Sequence, residues 1–318
     1  MKFFDLKKLR IILLASMIYI VSTIAFEVDK NGICQIEQDL FPAIGFGTYP
    51  LKDDICENAV QCAANLGYRI IDTATYYRNF ESISIALKAL GRQNFYIISK
   101  VWPSEHTIQG LYKDINETLA KLKTSYLDAY LLHWPNSKMS IDKILVTMEE
   151  FRIKGFIRHI GLSNVTVNHL KRALEVGIKI SWVQIEMHPH FYDRELLEFC
   201  KKNSITIQAW RPLNLGSVNQ DQLLIQLGKK YQKSPCQISL RWILQHECIS
   251  LPGSKDERHI QENFNIMDFA LSQDDMNKIN TMASAGKRFR LKEKHGLGFT
   301  DEFDFSYNEC WPEKATGS

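Results

Sequence analysis

The 318-residue chain is 45% hydrophobic and 24% charged, which excludes a disordered or fibrous protein and allows one full buried core. Its formal charge of +3 is carried by Lys2, Lys7, Lys8 and Arg10 against Asp5, so residues 26–318 are neutral and lack the basic excess of a nucleic-acid-binding protein. Seven cysteines (Cys34, Cys56, Cys62, Cys200, Cys236, Cys248 and Cys310) form no C-x-x-C pair, which argues against a zinc site, and most are expected to be small buried residues.

In chain order, the basic cluster is followed by residues 11–26, uncharged and largely apolar, with Thr23-Ile24-Ala25 as the small-residue pattern that precedes a signal-peptidase cut. Sixteen residues fall short of a comfortable membrane span. Residues 1–25 are therefore expected to be a signal peptide, or alternatively a membrane anchor, and residues 26–318 a single domain. The expected location is exported or membrane-associated through this segment, with the cytoplasm as the alternative.

From Phe41 onward, short β-branched or aromatic runs alternate with helical patterns, separated by Gly, Asn or Pro. Strands are predicted over residues 41–48, 68–73, 95–101, 127–134, 156–163, 180–187, 205–211 and 248–252, each followed by an amphipathic helical stretch. Eight such units predict an α/β fold, a single-domain (β/α)8 TIM barrel. Asp72, Lys100, His133, Ser163 with Asn164, Gln184 and Ser254 all fall at or near strand C-terminal ends, where barrel active sites are built. A lone buried Asp or His is more often a satisfied core group than a catalyst; the convergence of the set on one rim favours a site.

The stretch Gly67-Tyr68-Arg69-Ile70-Ile71-Asp72-Thr73-Ala74, with Tyr77 and Asn79 after it, resembles the aldo-keto reductase signature. The resemblance continues through Ser99-Lys100-Val101-Trp102, Leu127 to Pro135 around His133, Gly161-Leu162-Ser163-Asn164 and Val183-Gln184-Ile185-Glu186, and covers about Ala43 to Ala283. It implies reduction of aldehyde or ketone carbonyls by hydride transfer from a nicotinamide cofactor. Tyr77 would be the proton donor, assisted by Lys100 held by Asp72, with His133 hydrogen-bonded to the substrate oxygen. A nearby ammonium favours tyrosinate, so Lys100 is expected to bring the Tyr77 phenol toward neutrality. The resemblance assigns Ser163, Asn164 and Gln184 to the nicotinamide carboxamide and Trp210 to its ring. Arg211 and Leu213 would lie along the pyrophosphate, with Ser254, Arg258 and His259 near the ribose phosphate and Glu262 and Asn263 at the adenine.

Several residues depart from the family pattern. Trp210 stands for a frequent tyrosine and Arg211 for a common serine. Gly253 occupies the position of a frequent lysine, and His259 that of an arginine that grips the 2′-phosphate. NADPH/NADP+ is the first expectation and NADH/NAD+ the alternative, with Lys255 or Arg258 as substitute phosphate ligands. Phe80 and Ser84 replace a glutamate and a glycine on the helix behind Tyr77. The loop after the fourth strand spans only residues 136–140, which predicts an open pocket walled by Tyr49, Trp102 and Trp134, with Phe303, Phe305 and Trp311 as a lid. A small-molecule carbonyl is the expected partner. Two other readings have support in the residues: a metal-dependent hydrolase using His188 and His190 with His133 and Asp72, and a non-catalytic nucleotide-sensing subunit.

Overall fold

The computed structural model describes residues 27–29, 32–36, 39–136 and 141–283. The apolar segment at residues 11–26 expected to be a signal peptide or anchor, most of the loop after the fourth barrel strand, Cys310 and the aromatic residues Phe303, Phe305 and Trp311 lie outside them.

The described chain begins with a small antiparallel sheet, β1 (Glu27–Val28), β2 (Ile33–Ile36) and β3 (Asp39–Pro42), in that order. The run 41–48, predicted as one strand, therefore divides. Phe41 and Pro42 pair with β2, and the barrel strand β4 begins only at Gly45 (Gly45–Gly47). The sheet sits at the N-terminal end of the barrel, where the Phe41 ring meets Tyr96 edge-on at 6.3 Å between centroids.

The remaining barrel strands are β5 (Ile70–Asp72), β6 (Tyr96–Val101), β7 (Leu127–Leu132), β8 (Ile157–Ser163), β9 (Trp182–Glu186), β10 (Thr206–Trp210) and β11 (Ile249–Ser250). Each pairs in parallel with its neighbour from β4 to β11, and Ile44 bridges Ser250 in parallel, closing the ring. Two backbone bonds complete the seam, Ser250 N to Ala43 O at 3.0 Å and Gly47 N to Pro252 O at 2.9 Å. Strands β6 and β7 are buried at every position, as expected where helices cover a parallel barrel from outside.

The covering helices are α1 (Asp53–Leu66), α2 (Phe80–Leu90), α3 (Ile108–Leu122), α4 (Ile141–Ile153), α5 (Val167–Glu175), α6 (Arg194–Lys202), α7 (Gln222–Tyr231), α8 (Pro235–Gln245), α9 (Glu257–Phe264) and α10 (Gln273–Asn280). Their ends are set by local chemistry. Asp193 caps α6, and Ser234 with Gln237 forms a capping box on α8 with Pro235 at its first position. Gly67 stops α1 at φ 112°, a backbone state that costs glycine little. Phe80 and Ser84, the two signature departures, are buried on α2.

At the N-terminal end of the barrel, Trp182 donates from Nε1 to the Tyr96 hydroxyl at 2.8 Å. Asp128 nearby pairs with Arg92 at 2.7 Å and Arg158 at 3.2 Å and accepts from Ile97 N at 2.8 Å. The C-terminal end of the barrel is organised differently, around a cavity. The described cysteines are all free thiols, and burial pushes Cys34, Cys56 and Cys200 up to about 12.

Candidate active site

Asp72 ends β5, Lys100 lies on β6, and Tyr77 closes the one-turn 3-10 helix Thr75–Tyr77. Lys100 is fully buried, and its ammonium has three N–H donors and three acceptors: Asp72 Oδ2 at 2.8 Å, Thr73 O at 2.9 Å and the Tyr77 hydroxyl oxygen at 3.1 Å. Because the Tyr77 oxygen accepts from Lys100, its own proton is free to point elsewhere. The turn that presents Tyr77 is locked by Asn79. This side chain donates to Thr48 O and Leu51 O at 3.1 and 3.0 Å and accepts from Thr73 Oγ1 at 2.8 Å.

Electrostatics sort these groups. Burial, the Asp72 carboxylate and Tyr49 hold the Tyr77 phenol well above its ordinary range. The downward shift expected from Lys100 is not seen: desolvation of the phenolate first, and then the Asp72 carboxylate, raise the phenol. Burial holds Lys100 below its ordinary range, and Asp72 offsets only part of that. His133, just beyond β7, is held well below its ordinary range by burial, then by Lys100 and His106, and is neutral at physiological pH. The arrangement is therefore a protonated phenol touching a buried ammonium, beside a neutral imidazole.

A cavity of about 870 Å³ opens over this group. Asp72, Tyr77, His133 and the three predicted wall residues Tyr49, Trp102 and Trp134 border it, whereas Lys100 lies behind. Ser163, Asn164 and Gln184 border the next part as a shelf of buried polar side chains. Gln184 donates to Asp72 Oδ1 at 2.8 Å and Gln208 Oε1 at 2.9 Å. Asn164 donates to His133 O at 2.9 Å and Ser163 Oγ at 3.1 Å, while its Oδ1 accepts from Trp210 Nε1 at 2.9 Å. Asn164 and Arg211 adopt φ of 60° and 51°, the left-handed region that non-glycine residues occupy chiefly where function or packing enforces it. Arg211 pairs with Glu186 at 3.3 Å and borders the cavity with Trp210 and Leu213.

The far end is formed by Ser254 and by His259, Glu262 and Asn263 from α9. Arg258, predicted for the same group, does not border the cavity: its side chain is 87% exposed and pairs with Asp256 at 2.8 Å. Gly253 is explained by close approach, since a Cβ there would stand 2.3 Å from Gly47 O across the β4–β11 seam. Tyr76, Asn219, Cys236 and Leu251 also border the cavity and were not predicted. The Tyr76-Tyr77 doublet was a signal for the first; the others are brought in only by tertiary proximity.

The cavity has the size and donor set for a dinucleotide, with buried amide and hydroxyl groups next to the Tyr77 cluster and polar α9 side chains beyond. The family model described as "Aldo/keto reductase family" matches residues 43–284. The chain belongs to the aldo/keto reductase family. The glyoxal reductase of Bacillus subtilis (strain 168) is 37% identical over 245 residues, 76% of this chain and 88% of that one. The methylglyoxal reductase DkgA of Yersinia pestis is 36% identical over 259 residues, covering 78% and 91%. In structure, the aldose reductase from Schistosoma japonicum superposes with a TM-score of 0.76 at 29% identity, covering 87% of this chain and 96% of that one.

This family member is an oxidoreductase that reduces carbonyl groups, and the family generally uses NAD(P)H. The two other readings find no support. His190 hydrogen-bonds Asp221 at 3.0 Å, and His188 lies 3.4 Å from Glu186, so the two imidazoles face different carboxylates. Among the described residues no group of three or more His, Cys, Asp or Glu side chains could hold a metal ion. The two relatives named above are reductases by name.

Proposed function

We propose that the chain reduces small aldehydes, ketones and α-dicarbonyls to alcohols, with NADPH preferred and NADH accepted, using Tyr77 as general acid. The observation that carries this reading is the Lys100 ammonium donating to the Tyr77 oxygen at 3.1 Å while Asp72 holds Lys100 at 2.8 Å. The bound nicotinamide supplies hydride to the carbonyl carbon. As negative charge grows on the carbonyl oxygen, Tyr77 gives it a proton, and Lys100 stabilises the phenolate left behind. Neutral His133 donates a hydrogen bond to the same oxygen and orients it. Asp72 keeps Lys100 charged and aimed.

Ser163, Asn164 and Gln184 would hold the carboxamide, Trp210 would stack on the nicotinamide ring, and Arg211 with Leu213 would flank the pyrophosphate. Ser254, His259, Glu262 and Asn263 would line the adenosine half. Among the described residues bordering the cavity, Arg211 is the single Lys or Arg side chain. Selectivity for NADPH over NADH is therefore modest. The names of the two matched reductases favour dicarbonyl substrates, and the aromatic wall of Tyr49, Trp102 and Trp134 accepts apolar substituents.

The apolar segment at residues 11–26 supports placing the chain at or across a membrane, with the cytoplasm as alternative. Among the described residues no helix is long and apolar enough to cross one. Cell fractionation of the full-length chain decides between these: recovery in the cytosol with Met1 intact would remove the leader reading.

The function is tested by following NADPH and NADH oxidation against glyoxal, methylglyoxal, aromatic aldehydes and ketones. Turnover with at least the dicarbonyls is expected. Dissociation constants for the two cofactors should differ by less than about a thousandfold, roughly 4 kcal/mol. A larger preference would mean that Arg211, Lys255 or Arg258 recognises the phosphate directly.

A further inference from the structure

Tyr76 precedes Tyr77 on the same turn and lies at the cavity rim, 42% exposed. Its ring is stacked on Trp102, with centroids 4.3 Å apart and planes within 17°. Trp102 meets the His133 imidazole at 5.1 Å and 89°, and Tyr77 meets the same imidazole at 5.7 Å and 75°. A histidine's direction is ordinarily set by the hydrogen bond made through its second ring nitrogen. In His133 the Nδ1 atom is buried and has no hydrogen-bond partner among the described residues. Aromatic packing therefore takes over the task, and the Trp102 indole is held in turn by the parallel face of Tyr76.

We propose that Tyr76 is a positioning residue of the carbonyl site: it braces Trp102, and the braced indole fixes the angle at which His133 meets the substrate oxygen. The inference rests on the reading of His133 as the partner of that oxygen. It gives a reason for an aromatic residue at an exposed position next to the proton donor. Because Tyr76 is at the rim and not in the core, its replacement leaves the barrel intact.

The test compares Tyr76→Leu and Tyr76→Phe in the full chain, with methylglyoxal, too small to need the outer aromatic surface, and acetophenone as a prochiral ketone. For Tyr76→Leu, kcat with methylglyoxal should fall about three- to tenfold with KM little changed, and the enantiomeric excess of the alcohol from acetophenone should drop. The NADPH dissociation constant should be unchanged by fluorescence titration. Tyr76→Phe keeps the ring and should restore rate and enantiomeric excess to within about twofold of the parent. A Leu variant with parental kcat and enantiomeric excess, or a Phe variant as impaired as Leu, would overturn the proposal. Tyr77→Phe, measured alongside, separates the failures: if it is inactive while Tyr76→Leu is unaffected, only the positioning role falls, and if it remains active the carbonyl-site reading falls and the inference with it.

Discussion

The Tyr77 phenol is prepared as an acid by two opposing influences. Burial and Asp72 keep it protonated, while the Lys100 ammonium at 3.1 Å waits for the charge that proton transfer creates. Tyr77→Phe removes only the hydroxyl, so kcat should fall by about 10² or more with NADPH affinity nearly unchanged by fluorescence titration. Retention of more than about a tenth of the parental kcat would remove Tyr77 from the role. The pH dependence follows from the same shifts. Tyr77 is raised, so its acid form persists through neutrality and is lost only above the ordinary phenol range; His133 is lowered, so it is neutral throughout. The kcat for reduction should then be flat between about pH 6 and 9, and a limb inside that window, with chemistry rate-limiting, would contradict the assignment. Asp72, Lys100 and His133 were legible in the sequence as polar residues on successive strand ends, and Tyr77 through the resemblance of the stretch after Asp72 to the family signature. The direction of the Tyr77 shift was not, because it depends first on how deeply the folded chain buries the phenol and then on how close the Asp72 carboxylate comes to it. Arg258 was misplaced for a related reason: proximity in sequence to Ser254 and His259 does not show that the side chain turns out to Asp256.

At the level of elements, the two ends of the barrel are organised for different purposes. Asp128 belongs to the same strand motif as His133, yet it lies at the opposite end of β7 and joins Arg92, Arg158 and the β6 backbone. Asp128→Ala should cost about 2–3 kcal/mol in chemical denaturation, since it removes the carboxylate partner of Arg92 and leaves the buried Ile97 amide without its acceptor, and should leave kcat/KM for carbonyl reduction unchanged. A loss of activity without a loss of stability would place Asp128 in the wrong half of this division. The β4–β11 seam makes a second demand. A side chain at position 253 meets Gly47 O at 2.3 Å, so Gly253→Lys should lower the thermal midpoint and fail to tighten NADPH binding. Tighter binding by tenfold or more at an unchanged midpoint would show that the seam is not what keeps a lysine out. The periodicity of β and α runs predicted the eight barrel strands to within a few residues. It could not predict that residues 41–48 split between a small antiparallel sheet and β4, since an apolar run looks the same whether its partner strand is parallel or antiparallel.

For the whole molecule, closure by Ile44 and Ser250 means that the ring is completed by described residues that all lie beyond residue 26. A chain beginning at Phe26 should therefore fold with the same thermal midpoint and keep full reductase activity, and failure to fold would show that residues 1–25 belong to the domain. The central claim is carbonyl reduction at the Tyr77 rim, and it is tested most directly by one turnover of NADPH deuterated at its transferable C4 position with excess methylglyoxal. The account predicts one equivalent of NADPH oxidised for each alcohol formed and the deuterium found on the carbinol carbon. Tight NADPH binding with no oxidation, or product alcohol without the label, would contradict it.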